Sequence, residues 1–440
     1  MSDFLTQLPA LFEQFEAKLE GMVQGPLHAR RQAALARLLA NGLPTQRAEA
    51  YKYTPINQAF TDDLVMEEFA KGLPHNKLPF MRNPLVQQLK GNVLCTYNGR
   101  FEPQISTILS PIYEMEMLST YSGERMNSRT LERWMGQVQG EDNALADLNL
   151  AFSNHGLQVR VFEGKQVELP LVIYHLAESA LHRPLVQPRV LIVLGAGAKL
   201  NVTEVFQSTG ELGSVINSVM EVVLEEGAEL EVTKVQAVAE TDTLVDHTFC
   251  QQAARSRSRF NMLSMRGKTV RNNLTISLND KEAHADLFGL YHPRNGAHID
   301  NQTFVRHMAP NCTSEELYKG IVEGKSTAVF NGKIYVAEDA QKTNAFQSNR
   351  NILLDAESTV NTKPQLEIFA DDVRCTHGAT IGQLSEDALF YLRARGIGER
   401  DAKMLLLEAF AGEVLDKITL ANVRALAESL MENGKWKMEN

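Results

Sequence analysis

With 440 residues, 44% of them hydrophobic and 22% charged, the chain is long enough for two or three compact units with substantial cores. A formal net charge of −10 argues against a general nucleic-acid binder, whose phosphate contacts need a basic surface, and against binding to anionic membranes. No window is apolar over the length needed to span a bilayer.

The chain opens with a helical pattern. Leu8, Leu11, Phe12, Phe15 and Leu19 form one apolar stripe. The acidic residues Asp3, Glu13, Glu16 and Glu20 fit neither a secretory signal nor a transit peptide. A second helix is expected over about 31–40, with Leu35, Leu38 and Leu39 on one side and Asn41-Gly42 then Pro44 as its stop. The stretch from Pro74 to Met126 has no clear period. Helical spacing returns at Leu145, Leu148 and Phe152, ending near Gly156. Residues 1–156 therefore read as a mostly helical region. The four cysteines, Cys95, Cys250, Cys312 and Cys375, lie far apart, as expected of reduced thiols in a cytoplasmic protein.

From 157 to 384 short runs of Val, Ile, Leu and Thr alternate with polar residues, separated by turns. Gly197 to Val205 matches Gly227 to Val235 at six of nine positions, 30 residues apart. Self-similarity at a fixed period points to stacked coils, with Leu200, Val202, Leu230 and Val232 facing a shared core. The expected fold is mainly β: a parallel (right-handed) β-helix core flanked by amino- and carboxy-terminal helices. A sandwich with two similar strands is the alternative. Residues 385–440 form the carboxy-terminal helical domain. Ala402, Leu405, Leu406, Ala409 and Phe410 share one helical face, and Val423, Leu426, Ala427 and Leu430 share another.

Catalytic motifs fail on spacing or context. Gly320 to Ser326 has three residues between its glycines where a phosphate-binding loop needs four, and the run from Thr327 to Tyr335 reads as strand rather than helix. It is expected to be a turn between coils. There is no Cys-x-x-Cys, no His-Glu-x-x-His and no Gly-x-Ser-x-Gly. His284, His292, His298 and His307 crowd one stretch without spacing that would make them converge. Cys375 and His377 differ: on a strand both face the same way. On spacing alone they read either as soft and borderline metal ligands or as a small buried thiol beside a hydrogen-bonded imidazole.

The segments Pro364 to Ile368, Cys375 to Gly382 and Leu389 to Ile397 resemble the SufB/SufD family of iron–sulfur cluster scaffolds. So do Tyr318 to Gly320, Phe330 to Ile334, Ala340 to Asn344, and the run from Gly42 through Lys52-Tyr53-Thr54. The resemblance implies a β-helix core and a non-enzymatic role in de novo cluster assembly and iron acquisition. It implies a SufB-type subunit as partner and SufC-type ATPases docking on the carboxy-terminal helices, at Tyr391, Arg395, Gly396 and Phe410. Alone, the chain would pair with a second copy. It would hold no cofactor stably; an iron–sulfur cluster would pass through the complex, which would also be the place for a reduced flavin. SufB-like chains carry Glu at the position of Gly378 and a sulfur-receiving Cys at that of Ser348, so these departures place the chain on the SufD side. His377 carries over as the ligand or proton handler at the subunit interface, with Cys375 its neighbour. A SufB-like homomeric scaffold and a passive β-solenoid without a metal role are the alternatives; a carbohydrate-active β-helix would require a secretion signal.

Overall fold

The computed structural model describes residues 3–18, 26–66, 91–107, 113–117, 128–139, 143–153 and 156–433. Its strands are β1 Leu64–Met66, β2 Asn92–Tyr97, β3 Arg100–Phe101, β4 Tyr113–Met117, β5 Leu157–Val161, β6 Leu171–Ser179, β7 Arg183–Val186, β8 Arg189–Leu194, β9 Lys199–Gly210, β10 Val215–Leu224 and β11 Glu229–Ala237. They continue as β12 Thr243–Gln252, β13 Arg257–Arg266, β14 Thr269–Leu278, β15 His284–Tyr291, β16 His298–His307, β17 Thr313–Val322, β18 Thr327–Val336, β19 Asn344–Leu353, β20 Thr359–Thr362, β21 Gln365–Ile368 and β22 Arg374–Gly382. The helices are α1 Asp3–Lys18, α2 Pro26–Asn41, α3 Ser128–Trp134, α4 Ala144–Ala151, α5 Glu386–Ala394, α6 Glu399–Leu415 and α7 Ala421–Asn433. No helix among the described residues is long and apolar enough to cross a membrane.

The strands form a parallel β-solenoid of about eight turns. One face is a 12-stranded sheet ordered β20-β18-β16-β14-β12-β10-β8-β5-β4 along its main path; the other is a 10-stranded sheet ordered β22-β19-β17-β15-β13-β11-β9-β6-β2-β3. Alternate strands thus go to alternate faces, and each coil stacks on the one before. The 30-residue repeat is this stacking, since Leu200 pairs with Leu230 and Val202 with Val232. All four side chains lie in the apolar interior.

The turns explain how the coils keep register. Gly197, Gly227, Arg255, Glu282, Asn311 and Lys342 all take positive φ between 58° and 66°, the left-handed region that normally favours glycine. Each is followed by a small buried residue: Ala198, Ala228, Ser256, Ala283, Cys312 and Thr343. Each donates its N–H to a carbonyl of the following coil, as from Gly227 to Ala254 at 2.9 Å and from Asn311 to Gln341 at 2.9 Å. Cys312 belongs to this row of small residues, which accounts for a buried thiol there.

The lumen fills by pairing large with small. Tyr318 pairs with Gly289 and Gly320 with Tyr291. A Cβ on Gly289 would sit 2.2 Å from the Tyr318 ring, and one on Gly320 would sit 2.2 Å from the Tyr291 ring. The glycines make room for rings of the adjacent coil.

Helices cover the outer faces. Phe4, Leu8, Phe12, Phe15, Leu35 and Leu38 join Leu145 and Leu148 against Val193, Val219 and Val245 of the 12-stranded sheet. Leu407, Ala411, Val414, Leu415 and Leu426 pack on Val235, Leu263, Leu290 and Ile321 of the other sheet. The α7 stripe of Val423, Leu426 and Ala427 is buried as expected. The α6 stripe is corrected: its buried residues are Ala402, Leu407, Ala411, Val414 and Leu415, while Leu405 is 45% exposed and Ala409 is exposed. Met404 to Leu407 and Ala409 to Ala411 make α6 apolar on nearly every side, so periodicity cannot single out the packed face.

Residues 1–156 carry the four helices α1 to α4 and, besides them, short strands that the sequence pattern did not show. β2 pairs with β6, and β4 with β5, so this region extends both sheets. Every residue of β2 is buried, which removes the alternation that marks a half-exposed strand. Much of the stretch from 74 to 126, and Leu19 of the first stripe, lie outside the described residues.

Candidate functional site

A solenoid has two ends, and the carboxy-terminal one carries Cys375 and His377. They lie on β22, the last strand of the 10-stranded sheet, which pairs in parallel with β19. Among the described residues β22 has no second partner strand. Arg374 donates its N–H to Thr343 at 2.9 Å; since alternate residues of a parallel strand face opposite neighbours, the N–H groups of Cys375, His377, Ala379 and Ile381 point to the open edge. Most of β22 is exposed, including its Ile381, as is Phe346, which pairs with Thr376.

The register fixes where the side chains point. Cys375 pairs with Ala345, and His377 with Gln347. Ala345 and Gln347 are buried in the lumen, so Cys375 and His377 face the lumen's open mouth, about 7 Å apart along the strand. Cys375 is half-buried against the cluster of Ile334, Val336, Ala340 and Ala345. Burial pushes its thiol up, opposed by a hydrogen bond from the Ala345 backbone, so it is protonated near neutrality. His377 is exposed.

Ser348 and Gly378 occupy the opposite face of the same two strands and pair with each other. The two positions expected from the family resemblance to differ from SufB-like sequences are therefore neighbours in space. Nothing lies within 4 Å of a Cβ built on Gly378, so a side chain there would be accommodated without rearrangement.

Beneath His377 runs a row that sequence reasoning missed. Val202, Val232, Phe260, Leu287, Glu316, Gln347 and His377 pair in succession from coil to coil. Gln347 donates from Nε2 to Glu316 Oε2 at 2.7 Å, and Thr303 donates from Oγ1 to Glu316 Oε1 at 2.6 Å. Burial pushes the Glu316 carboxyl up to about 7, against the lowering effect of these two bonds. Opposite stands Gly332, where a Cβ would lie 2.2 Å from Gln347 Nε2. The repeat period offered a signal: Glu316, Gln347 and His377 fall about one coil apart.

The other expected docking residues separate into two places. Tyr391 is 57% exposed and Phe390 75%, on α5, whose N-cap Ser385 accepts from the Ala388 N–H. The Arg395 guanidinium lies 5.1 Å from the Tyr391 ring, and Gly396, with φ +88°, turns the chain toward α6. Phe410 instead faces the sheet: its carbonyl accepts from Lys319 Nζ at 2.9 Å, and the same ammonium lies 4.3 Å from its ring.

The remaining sequence candidates are structural. Gly324 and Lys325 form a turn between β17 and β18 at positive φ, and a strand comes after it rather than a helix. His284 bonds Asp286 and Thr313, His292 bonds Glu323, His298 bonds Thr54, and His307 bonds Ser314. No three His, Cys, Asp or Glu among the described residues are grouped to hold a metal ion. Cys95, Cys250 and Cys312 are buried thiols whose ionisation burial disfavours. Two clefts of about 370 and 340 Å³ open on the 12-stranded sheet. The Glu49–Lys363 ion pair lines both.

Two family models match. That of the SUF system FeS cluster assembly SufBD core domain covers residues 176–410, and that of the SufBD protein N-terminal region covers residues 3–173. An iron-sulfur cluster assembly SufBD family protein of Synechocystis sp. is 29% identical over 95% of this chain and 93% of its own length. The iron-sulfur cluster assembly protein SufD of Escherichia coli is 28% identical over the same shares. Protein ABCI7, chloroplastic, of Arabidopsis thaliana is 33% identical over 62% of this chain and 58% of its own.

The Glu316 environment generates a pH prediction. A carboxyl held near 7 in the folded chain but near its ordinary value when unfolded binds more protons in the native state between those pH values. Its contribution to stability is complete at low pH and falls as pH rises from about 4.5 to 7, by a few kcal/mol at most. Glu316→Gln is expected to flatten that decline and to exceed the wild type in stability at pH 8. Urea melts of both proteins across pH 5–8 check this; parallel pH dependences would contradict it.

Proposed function

The chain belongs to the SufBD family of the SUF system for iron–sulfur cluster assembly, and on that premise we propose that it is the SufD-side subunit of a cytoplasmic scaffold, joined to a SufB-type subunit at the open end of its solenoid. The observation that carries this reading is the free edge of β22, with His377 and Cys375 facing the mouth of the lumen beside it. An unpaired, exposed strand edge is a template for a second chain, and the apolar Ile381 on β22 and Phe346 on the adjoining β19 would be covered by the same contact. In isolation, that edge would pair with a second copy of this chain.

The site supplies one imidazole and one thiol, half of a four-coordinate ligand set. A cluster would therefore be built across the interface, with the missing donors coming from the SufB-type partner. Iron is cargo in this scheme: His377 presents a nitrogen lone pair to it, or takes a proton as a ligand deprotonates. Cys375, protonated in the free chain, would bind as thiolate only once metal or partner lowers its pKa.

SufC-type ATPases would dock on the exposed apolar surface of the carboxy-terminal helices, formed by Phe390, Tyr391 and Leu405 with Arg395 at its rim. Phe410 would act from beneath, by fixing α6 to the sheet through Lys319.

Two variants test these assignments in the co-expressed complex. His377→Ala is expected to leave assembly and melting temperature unchanged while cutting the rate of cluster formation at least about tenfold; an unchanged rate, followed by visible absorbance, rejects the role. Tyr391→Ala is expected to weaken ATPase docking by about 2 kcal/mol and leave the SufB-type subunit bound. Wild-type ATPase affinity in a titration would reject that surface.

A further inference from the structure

We infer that Gln347 is a positioning residue for His377: its amide, anchored to Glu316 from below, accepts an N–H of the imidazole and fixes which ring nitrogen is left free to face the subunit interface. This role presupposes the reading of His377 as ligand or proton handler given above.

The amide has two ends, and the structure pins one of them. Nε2 donates to Glu316 Oε2 at 2.7 Å, and Glu316 is itself held by Thr303 at 2.6 Å. Glu316 Oε1 is taken by the Thr303 hydroxyl, and above about pH 7, where Glu316 is ionised, its oxygens only accept, so there Nε2 and Oε1 of the amide cannot exchange places without losing the bond. Across the lumen the backbone of Gly332 leaves room for this arrangement and no more.

The other end is unpaired. Gln347 is 3% exposed, and its Oε1 is buried with no hydrogen-bond partner among the described residues. A buried acceptor without a donor is costly, on the order of 1–3 kcal/mol. With Nε2 directed to the preceding coil at Glu316, the following coil is where a donor must come from. In register there, on the same face, stands His377. Its imidazole carries an N–H in either neutral tautomer.

The consequence is chemical. A neutral imidazole free to exchange tautomers offers its lone pair from either nitrogen, in two directions. One that donates to Gln347 offers it from the remaining nitrogen only, the device by which ligating histidines are commonly oriented. Thr303, Glu316 and Gln347 thus form a relay that starts inside the solenoid and ends at the ring that meets the partner.

The test is the tautomer ratio of His377, read from long-range proton–nitrogen couplings in the full chain labelled at histidine nitrogen, with the signal assigned by its loss in His377→Ala. Gln347→Met keeps an unbranched side chain of similar length and removes the acceptor. The expected result is about a tenfold change in the ratio between wild type and variant, the equivalent of one ordinary hydrogen bond. A wild-type ratio equal to that of a free imidazole, or an unchanged ratio in the variant, would overturn the inference. The wild-type spectrum decides the matter even if the variant fails to fold. Cluster formation by the complex separates the two readings. If His377→Ala builds clusters normally, the ligand role fails while the tautomer result stands. If His377→Ala is defective but Gln347→Met matches wild type in both ratio and rate, the positioning role fails alone.

Discussion

In-register stacking of coils governs this molecule. Each residue of a coil sits over its counterpart one coil earlier, its backbone groups bonded to that neighbour, so the chain is a set of rows running the length of the solenoid. A row tolerates only residues that suit both neighbours. Small residues follow the left-handed turn position from Ala198 to Thr343, and glycine faces tyrosine in the two rows through Gly289 and Gly320. The end of a solenoid is where a row has lost one neighbour, and His377 ends a row.

The rows also change character along the axis. The early coils are filled by Val, Leu, Ile and Phe, each worth roughly 1.5–3 kcal/mol when fully buried. One charged cluster interrupts them: Lys234 lies between Glu204 and Asp246, all three fully buried, with His175 on the far side of Glu204. Such a cluster is better suited to fixing register than to adding stability, since the charges must be desolvated first. Toward the open end the interior becomes polar: Tyr291, Asn349 and Asn351 bond one another, and Thr303, Glu316 and Gln347 form a second chain. The apolar coils hold the solenoid together, while the polar ones lie beneath the exposed strand β22.

Much of this was legible in the sequence because repetition is. The match of Gly197–Val205 to Gly227–Val235 gave the period, and the alternation of Leu200 and Val202 gave the inward face; both appear unchanged in the stack. The pairing of Cys375 and His377 on one face followed from strand geometry. Three things stayed hidden. β2 is buried on both faces and so has no alternation. α6 is apolar all round, so the sheet chose the face. Glu316 and Gln347 are ordinary polar residues until the coils are laid over one another, and the register that links them to His377 drifts by one residue, enough to blur a search at a fixed spacing.

If the free edge of β22 is where this SufBD-family chain meets its partner subunit, blocking that edge releases the partner, and the mass of the recovered complex decides it. Ala379 directs its N–H to the open side, so Ala379→Pro removes an outward donor while sparing the ladder to β19. Co-expressed with SufB- and SufC-type proteins, the wild type is predicted to purify as a complex containing both. The variant is predicted to melt like the wild type and to come away without the SufB-type subunit. Recovery of the variant in a complex of the same mass and stoichiometry would contradict the account.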